Sequence, residues 1–312
     1  MLFQNIAGID WLVWIGVVAA LMLLNEAARA NKWVALLLFV GLPVILTIFV
    51  WPTTAGPDSS TGTWFHWVKV YSALAGCLGF MALRFMPKLQ HNKWALIFPP
   101  AILAFNIMEA VIRDFQVAGL HGLVDGVVMN GGAWDIMNGI AGIINIITIS
   151  GWFGIIISHD KQKDMIWPWI IAYDVWNFAY VYNCVGDHSF YAGAALLISC
   201  TLAAFFVKKG SWLQARAQTL AFWMMFTMSY PTFVTDSQFS VQSTHSSAAL
   251  MTVSALALAI NVAVLVLHVY RIIKHRRNVL TDDIYAGTVA HDQVLADNTP
   301  ADQQPAGLNL KK

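Results

Sequence analysis

Asn106, Glu109 and Arg113 stand three and seven residues apart, so a helix through them carries all three on one stripe, and Glu109 and Arg113 can pair at i, i+4. Asp174 and Asn177 repeat the three-residue offset, with Tyr173, Tyr180, Tyr182 and Asn183 close by. His66 and Lys69 repeat it once more. Asn138 and Asn145, seven apart, share a face amid Gly139, Gly142 and Gly151. Amides, hydroxyls and charges gathered in this way can replace the hydration of a small polar solute or ion, and a carboxylate among them can exchange a proton. Asp174 is the first candidate for that role, because no basic residue lies near it in its own segment; Lys69 and Arg113 are its candidate charge partners. A lone asparagine reads first as glue between helices, at roughly 0.6–2 kcal/mol.

A second set, His121, Asp125, Asp135, Asp187, His188, Asp236 and His245, lies between apolar segments. Histidine and carboxylate together bind zinc and shuttle protons. His121, Asp125, His188 and His245 are the metal candidates, but they are scattered without a ligand spacing such as HExxH, and connecting loops are polar in any case. Cys77, Cys184 and Cys200 make neither a disulfide framework nor a CxxC site.

The elements that must hold these groups are apolar. Of 312 residues, 58% are hydrophobic and 11% charged, against roughly one-quarter charged in soluble domains. Nine segments approach the length of about 20 residues that crosses a hydrocarbon core: 8–28, 32–51, 64–86, 93–114, 136–158, 165–184, 190–207, 213–235 and 246–271. The first lacks a basic leader and is followed by Asn25, Glu26 and Arg29, so it reads as a span and not a cleavable signal. Pro43, Pro100 and Pro168 open similar octets on even-numbered segments, as a parallel repeat of helical hairpins would.

Basic residues alternate with the segments. Arg29, Lys32, Arg84, Lys88, Lys93, Lys161, Lys163, Lys208, Lys209 and Arg216 sit at alternate connections, and Arg271, Lys274, Arg276 and Arg277 follow the last segment. The intervening connections 52–63, 115–135, 185–189 and 236–245 have none. Because cytoplasmic loops retain Lys and Arg, the N-terminus is expected outside and the C-terminus inside. The connection 115–135 is glycine-rich and apolar, which suits a re-entrant segment or a lid. Residues 1–275 form one transmembrane domain, and 276–312 a polar cytoplasmic tail of disordered composition.

The expected fold is therefore all-α, a polytopic transmembrane bundle of about nine spans in the cell (inner) membrane. The expected function is a transporter or channel for a small polar solute or ion, with proton coupling through Asp174 or Glu109 left open. Asp174, Asn177, Glu109, Asn106, Arg113, Lys69, His66 and Asn145 would bind the solute, and Pro43, Pro100, Pro168 and Pro231 could act as hinges. Its partners are the lipid bilayer and the solute. A net charge of +1 argues against nucleic acid, and homo-oligomerisation stays open. No cofactor is expected: phosphate-loop and GxGxxG motifs are missing, and the last segment has Asn261 but no lysine for a retinal Schiff base. Two alternatives remain, a membrane-embedded enzyme using the His/Asp set and a receptor or assembly protein whose polar groups are structural.

Overall fold

The structure, a computed structural model, describes residues 2–57, 59–124, 127–152, 156–157, 162–297, 299 and 301–310, with the backbone alone at 156–157, 162–163 and 301. It is all-helical apart from two short hairpins. The helices are α1 (Gly8–Ala30), α2 (Lys32–Thr54), α3 (Trp64–Phe85), α4 (Lys93–Val117), α5 (Ala133–Ile147), α6 (Trp167–Cys184), α7 (Gly186–Val207), α8 (Trp212–Ser229), α9 (Ser247–His275) and α10 (Val289–Asp297). Strands β1 (His121–Val124) and β2 (Val127–Asn130) pair antiparallel between α4 and α5, with His121 opposite Asn130.

Among the described residues, six helices are long and apolar enough to cross a membrane: α1, α2, α3, α4, α7 and α9. Their apolar side chains stay outward, with Leu12, Leu23, Phe49 and Phe206 all largely exposed, which is compatible with a multi-pass membrane protein. The fifth expected span, 136–158, is a correction: its helix ends at Ile147, where Thr148 turns back to bond the Ile144 carbonyl. Helices α6 and α8 have 18 residues each and are heavily buried. Helix α2 alternates α- and π-helical turns on both sides of Pro43, whose ring denies a backbone donor and forces the i→i−4 ladder to shift. Pro99 and Pro100 sit inside α4, whereas Pro168 opens α6, so the repeated octets occupy unlike places in their helices.

Helices α3, α4, α6, α7 and α8 pack in a closed circuit, each against the next and α8 back on α3. Helix α6 is its core, with Trp169, Trp176 and Tyr182 fully buried. Helices α5 and α9 cover α6 from one side, and α1 and α2 cover α7, α8 and α3 from the other. Small residues permit the close approaches: a Cβ at Gly79 would strike the Phe98 ring across α3–α4, and one at Gly142 would strike Val111 and Trp176.

The connections fall at two ends. At the hairpin end, Gln4 N–H donates to Gln242 O and Thr244 N–H to Leu2 O, both at 3.0 Å. Tyr182 donates to Leu2 O at 2.7 Å, Asn130 to His245 O at 2.8 Å, and Thr54 to Met228 O at 2.6 Å. The chain start and the connections after α2, α4, α6 and α8 are thus neighbours. At the tail end, Asp164 accepts the Leu213 N–H, capping the start of α8. Burial pushes the Asp164 carboxyl well above its usual range, although the N–H groups of Leu213, Met165 and Gln214 oppose that. Arg271 of α9 donates to Ile284 O, and Tyr285 bonds His268 at 3.1 Å, which seats the segment after α9 against the tail end of the bundle.

Candidate functional site

The helix circuit encloses a cavity. It measures about 60 Å³ for the centre of a water-sized molecule, room for roughly four waters. Lys69 and His66 face it from α3, Asn106 from α4, Tyr173, Asn177 and Tyr180 from α6, His188 from α7 and Arg216 from α8. Leu196, Leu220, Trp223 and Met224 complete an apolar wall. From Arg216 to Thr227 along α8 the lining runs eleven residues, roughly 16 Å at 1.5 Å per residue.

Its charges are unequally matched. Lys69 Nζ pairs with Glu109 Oε2 at 2.8 Å and donates to Asn106 O at 2.7 Å. Arg216 donates Nε to the Tyr173 hydroxyl and Nη2 to Asn177 Oδ1, both at 3.2 Å, and its guanidinium lies 5.7 Å from the Tyr173 ring centre. These acceptors are neutral. Arg216 is 5% exposed and its Nη1 has no hydrogen-bond partner among the described residues, nor do Tyr180 Oη and His188 Nε2. His66 bonds Thr63 through Nδ1 at 2.9 Å, and its ring centre lies 5.8 Å from that of His188.

A second, smaller cavity of about 30 Å³ continues toward the tail end, lined by Ser72, Gly76, Phe80, Pro99, Ile102 and Leu213 among others. Asn106, Tyr173, Arg216 and Leu220 belong to both linings. They form the partition between the two spaces, and Arg216 is its charged member.

The structure brings together five of the eight expected solute ligands: His66, Lys69 and Asn106 with Asn177 at the cavity wall, and Glu109 behind Lys69. Glu109 takes Lys69 across α3–α4 as an ion-pair partner. Arg113 is buried in the next turn of α4. Asp174 is not a lining residue. Its carboxylate accepts from Thr201 of α7 at 2.6 Å, and Arg216 acts on it electrostatically without a hydrogen bond. Asn145 is fully buried on α5, where its backbone carbonyl accepts from Trp169 at 3.1 Å.

The metal candidates separate. His121 is exposed on β1, His188 lines the cavity, and His245 pairs with Asp187 at 3.1 Å. Asp125 lies outside the described residues. Arg216 is not among the expected ligands, because along the chain it reads with Lys208 and Lys209 as part of a basic connection. The available signal was its place inside an apolar run, four residues after Trp212 and one turn before Leu220.

A family model matches residues 4–297, from the paired N-terminal segment through the last residue of α10. The chain belongs to DUF5692, a family of unknown function. No curated protein and no solved structure matches it. The DUF5692 match covers every helix of the circuit and α10 as well, so the cavity and the tail helix both lie inside the family's extent.

Proposed function

We propose that this is a nine-span protein of the cell membrane, N-terminus outside and C-terminus inside, that binds and moves a small polar solute bearing an acidic group. The span count is supported by the alternation of connections between two ends of the bundle and by the matching alternation of Lys and Arg. Helices α5, α6 and α8 are then short spans, tolerable because neighbouring helices and not lipid surround most of α6 and α8.

The observation that carries the solute is Arg216. A guanidinium buried at a partition, hydrogen-bonded to neutral oxygens and with one Nη lacking a hydrogen-bond partner among the described residues, is costly unless an anion completes it. Among the lining residues Lys69 is paired with Glu109, whereas Arg216 has no acidic lining partner, and Asp174, the acid it acts on electrostatically, lies behind the wall. His66, His188 and Tyr180 supply further polar groups within the same space. A cavity of this size admits a small carboxylate or an inorganic anion and excludes anything as large as a nucleotide.

The paired cavities fit a gated path. Movement of the Arg216 side chain would join the outer space to the inner one, and Pro99 and Pro100, which line or adjoin the inner space, weaken α4 beside it.

The test is uptake into proteoliposomes across a panel of small carboxylates and inorganic anions, with substrate-dependent thermal stabilisation of the detergent-solubilised protein. Arg216→Gln should abolish uptake and the stabilisation, while Thr252→Ala, on the outer face of α9, should leave both intact. Uptake of a cationic solute, or Arg216→Gln with wild-type uptake, rejects the assignment.

A further inference from the structure

Outside the cavity, two carboxylates and a thiol meet where three helices end. Asp114 stands in the last turn of α4, Asp135 in the first turn of α5, and Cys184 closes α6. Each offers one ligand atom, and those atoms lie within 4.8 Å of one another. The site is dry, since Asp114 and Asp135 have no exposed surface and Cys184 is 1% exposed. The Cys184 sulfur sits 3.3 Å from Asp114 Oδ1, and the Asn138 amide lies against the same carboxylate, with Nδ2 2.9 Å from Oδ2.

We propose that Asp114, Asp135 and Cys184 bind one divalent cation of the zinc type, with the Asn138 carbonyl oxygen as the fourth ligand. Four observations converge. Asp135 Oδ1 and Asn138 Oδ1 are buried acceptors with no partner among the described residues, although Asp135 Oδ2 takes the Gly132 N–H at 2.8 Å. A carboxylate half satisfied in a dry site costs several kcal/mol unless a cation or a proton completes it.

The Cys184–Asp114 separation fits one ion. Zinc bonds of about 2.3 Å to sulfur and 2.0–2.2 Å to oxygen put tetrahedral S and O ligands roughly 3.5 Å apart, close to the separation seen between Cys184 and Asp114. The charge fits as well. Three anionic ligands leave one negative charge on a dication, and Arg113, adjacent to Asp114, acts electrostatically on Cys184. The donor set selects: a thiolate beside carboxylates favours zinc over magnesium or calcium, which take oxygen alone.

The fold holds the ligands in place. The β1–β2 hairpin is closed at its base by Gly131 N–H to Leu120 O, and a Cβ at Gly131 would run into the Val117 carbonyl. That tight return is what brings the start of α5 against the end of α4. Cys184 is one turn beyond Tyr180, a cavity wall residue, so an ion here would pin the hairpin end of that wall. On binding, the metal–sulfur bond forms as the thiol proton, otherwise donated to Asp114, leaves to solvent; uptake is therefore accompanied by proton release.

The full chain in detergent micelles, stripped with a chelator and reloaded with Zn²⁺, should retain one equivalent by elemental analysis. Loading with Co²⁺ should give a thiolate-to-cobalt charge-transfer band, read on the wild-type protein and so independent of how any variant folds. Cys184→Ser should lose that band, whereas Cys77→Ser and Cys200→Ser should keep it. Asp135→Asn should weaken Zn²⁺ in chelator competition by tenfold or more, and His121→Ala and His245→Ala by less than twofold. Wild-type protein that retains no Zn²⁺, a band that survives Cys184→Ser, or zinc that is lost with His121 or His245 overturns the site.

Discussion

Lys69 and Glu109 show how a pair of residues acquires meaning only across helices. Either charge alone, at its buried position, would be expensive, and the 2.8 Å bridge between α3 and α4 resolves both. Lys69→Met should therefore destabilise the protein by about 3–5 kcal/mol, because it strands the Glu109 carboxylate, whose Oε1 has no partner among the described residues. Glu109→Gln in the same chain should recover much of that loss. Equilibrium unfolding in mixed micelles measures the double-mutant cycle, and strictly additive losses would deny the coupling. The same logic explains Arg216. Its sequence neighbours mark it as a residue near a span end, and nothing along the chain announces that Tyr173 and Asn177, about forty positions earlier, will meet it.

Among the elements, the tail helix is anchored through a carboxylate, Asp292, that accepts from Gly287 and Asn309 N–H. Asp292 is buried, which on its own would raise its carboxyl. Hydrogen bonds from Asn309 N–H, His291 and Gly287 N–H outweigh that and hold it below the usual 3.8. A carboxyl lowered on folding stabilises fully above its unfolded value, and the contribution disappears as pH falls through the folded one. Hydrogen exchange in residues 284–297 should therefore be slow at pH 5 and accelerate below about pH 3.8, with Asp292→Asn losing that step. Exchange that is indifferent to pH across this window would remove Asp292 as the anchor. The apolar composition of α4 and α7 announces helices. That of 115–135, less apolar and glycine-rich, conceals a hairpin, because two strands of four residues carry too few positions for periodicity to be read.

Across the whole molecule, the arrangement predicts opposite faces for the two ends. A C-terminal alkaline phosphatase fusion should be inactive and a C-terminal fluorescent-protein fusion should fluoresce, since Arg271 and Lys274 close α9 and Arg276 and Arg277 follow it. Cysteines introduced at Ser59 and at Lys209 should be labelled from opposite sides of intact cells and inverted vesicles. Labelling of both from one side would break the alternation. That the chain is built of apolar helices, six of them long enough to cross a membrane among the described residues, was readable along the chain because burying a helix in hydrocarbon is a property of that helix: about 20 apolar residues suffice, whatever surrounds them. His66, Lys69, Asn106 and Asn177 could be singled out for the same reason, as polar groups inside such runs. Which of them share a cavity could not be read. That Asp174 turns to Thr201 while Arg216 faces the interior, and that Asp114, Asp135 and Cys184 meet at one point, depends on helix rotation and on which helix lies beside which. Those follow from packing between segments far apart in sequence, where one glycine or one ion pair decides the contact.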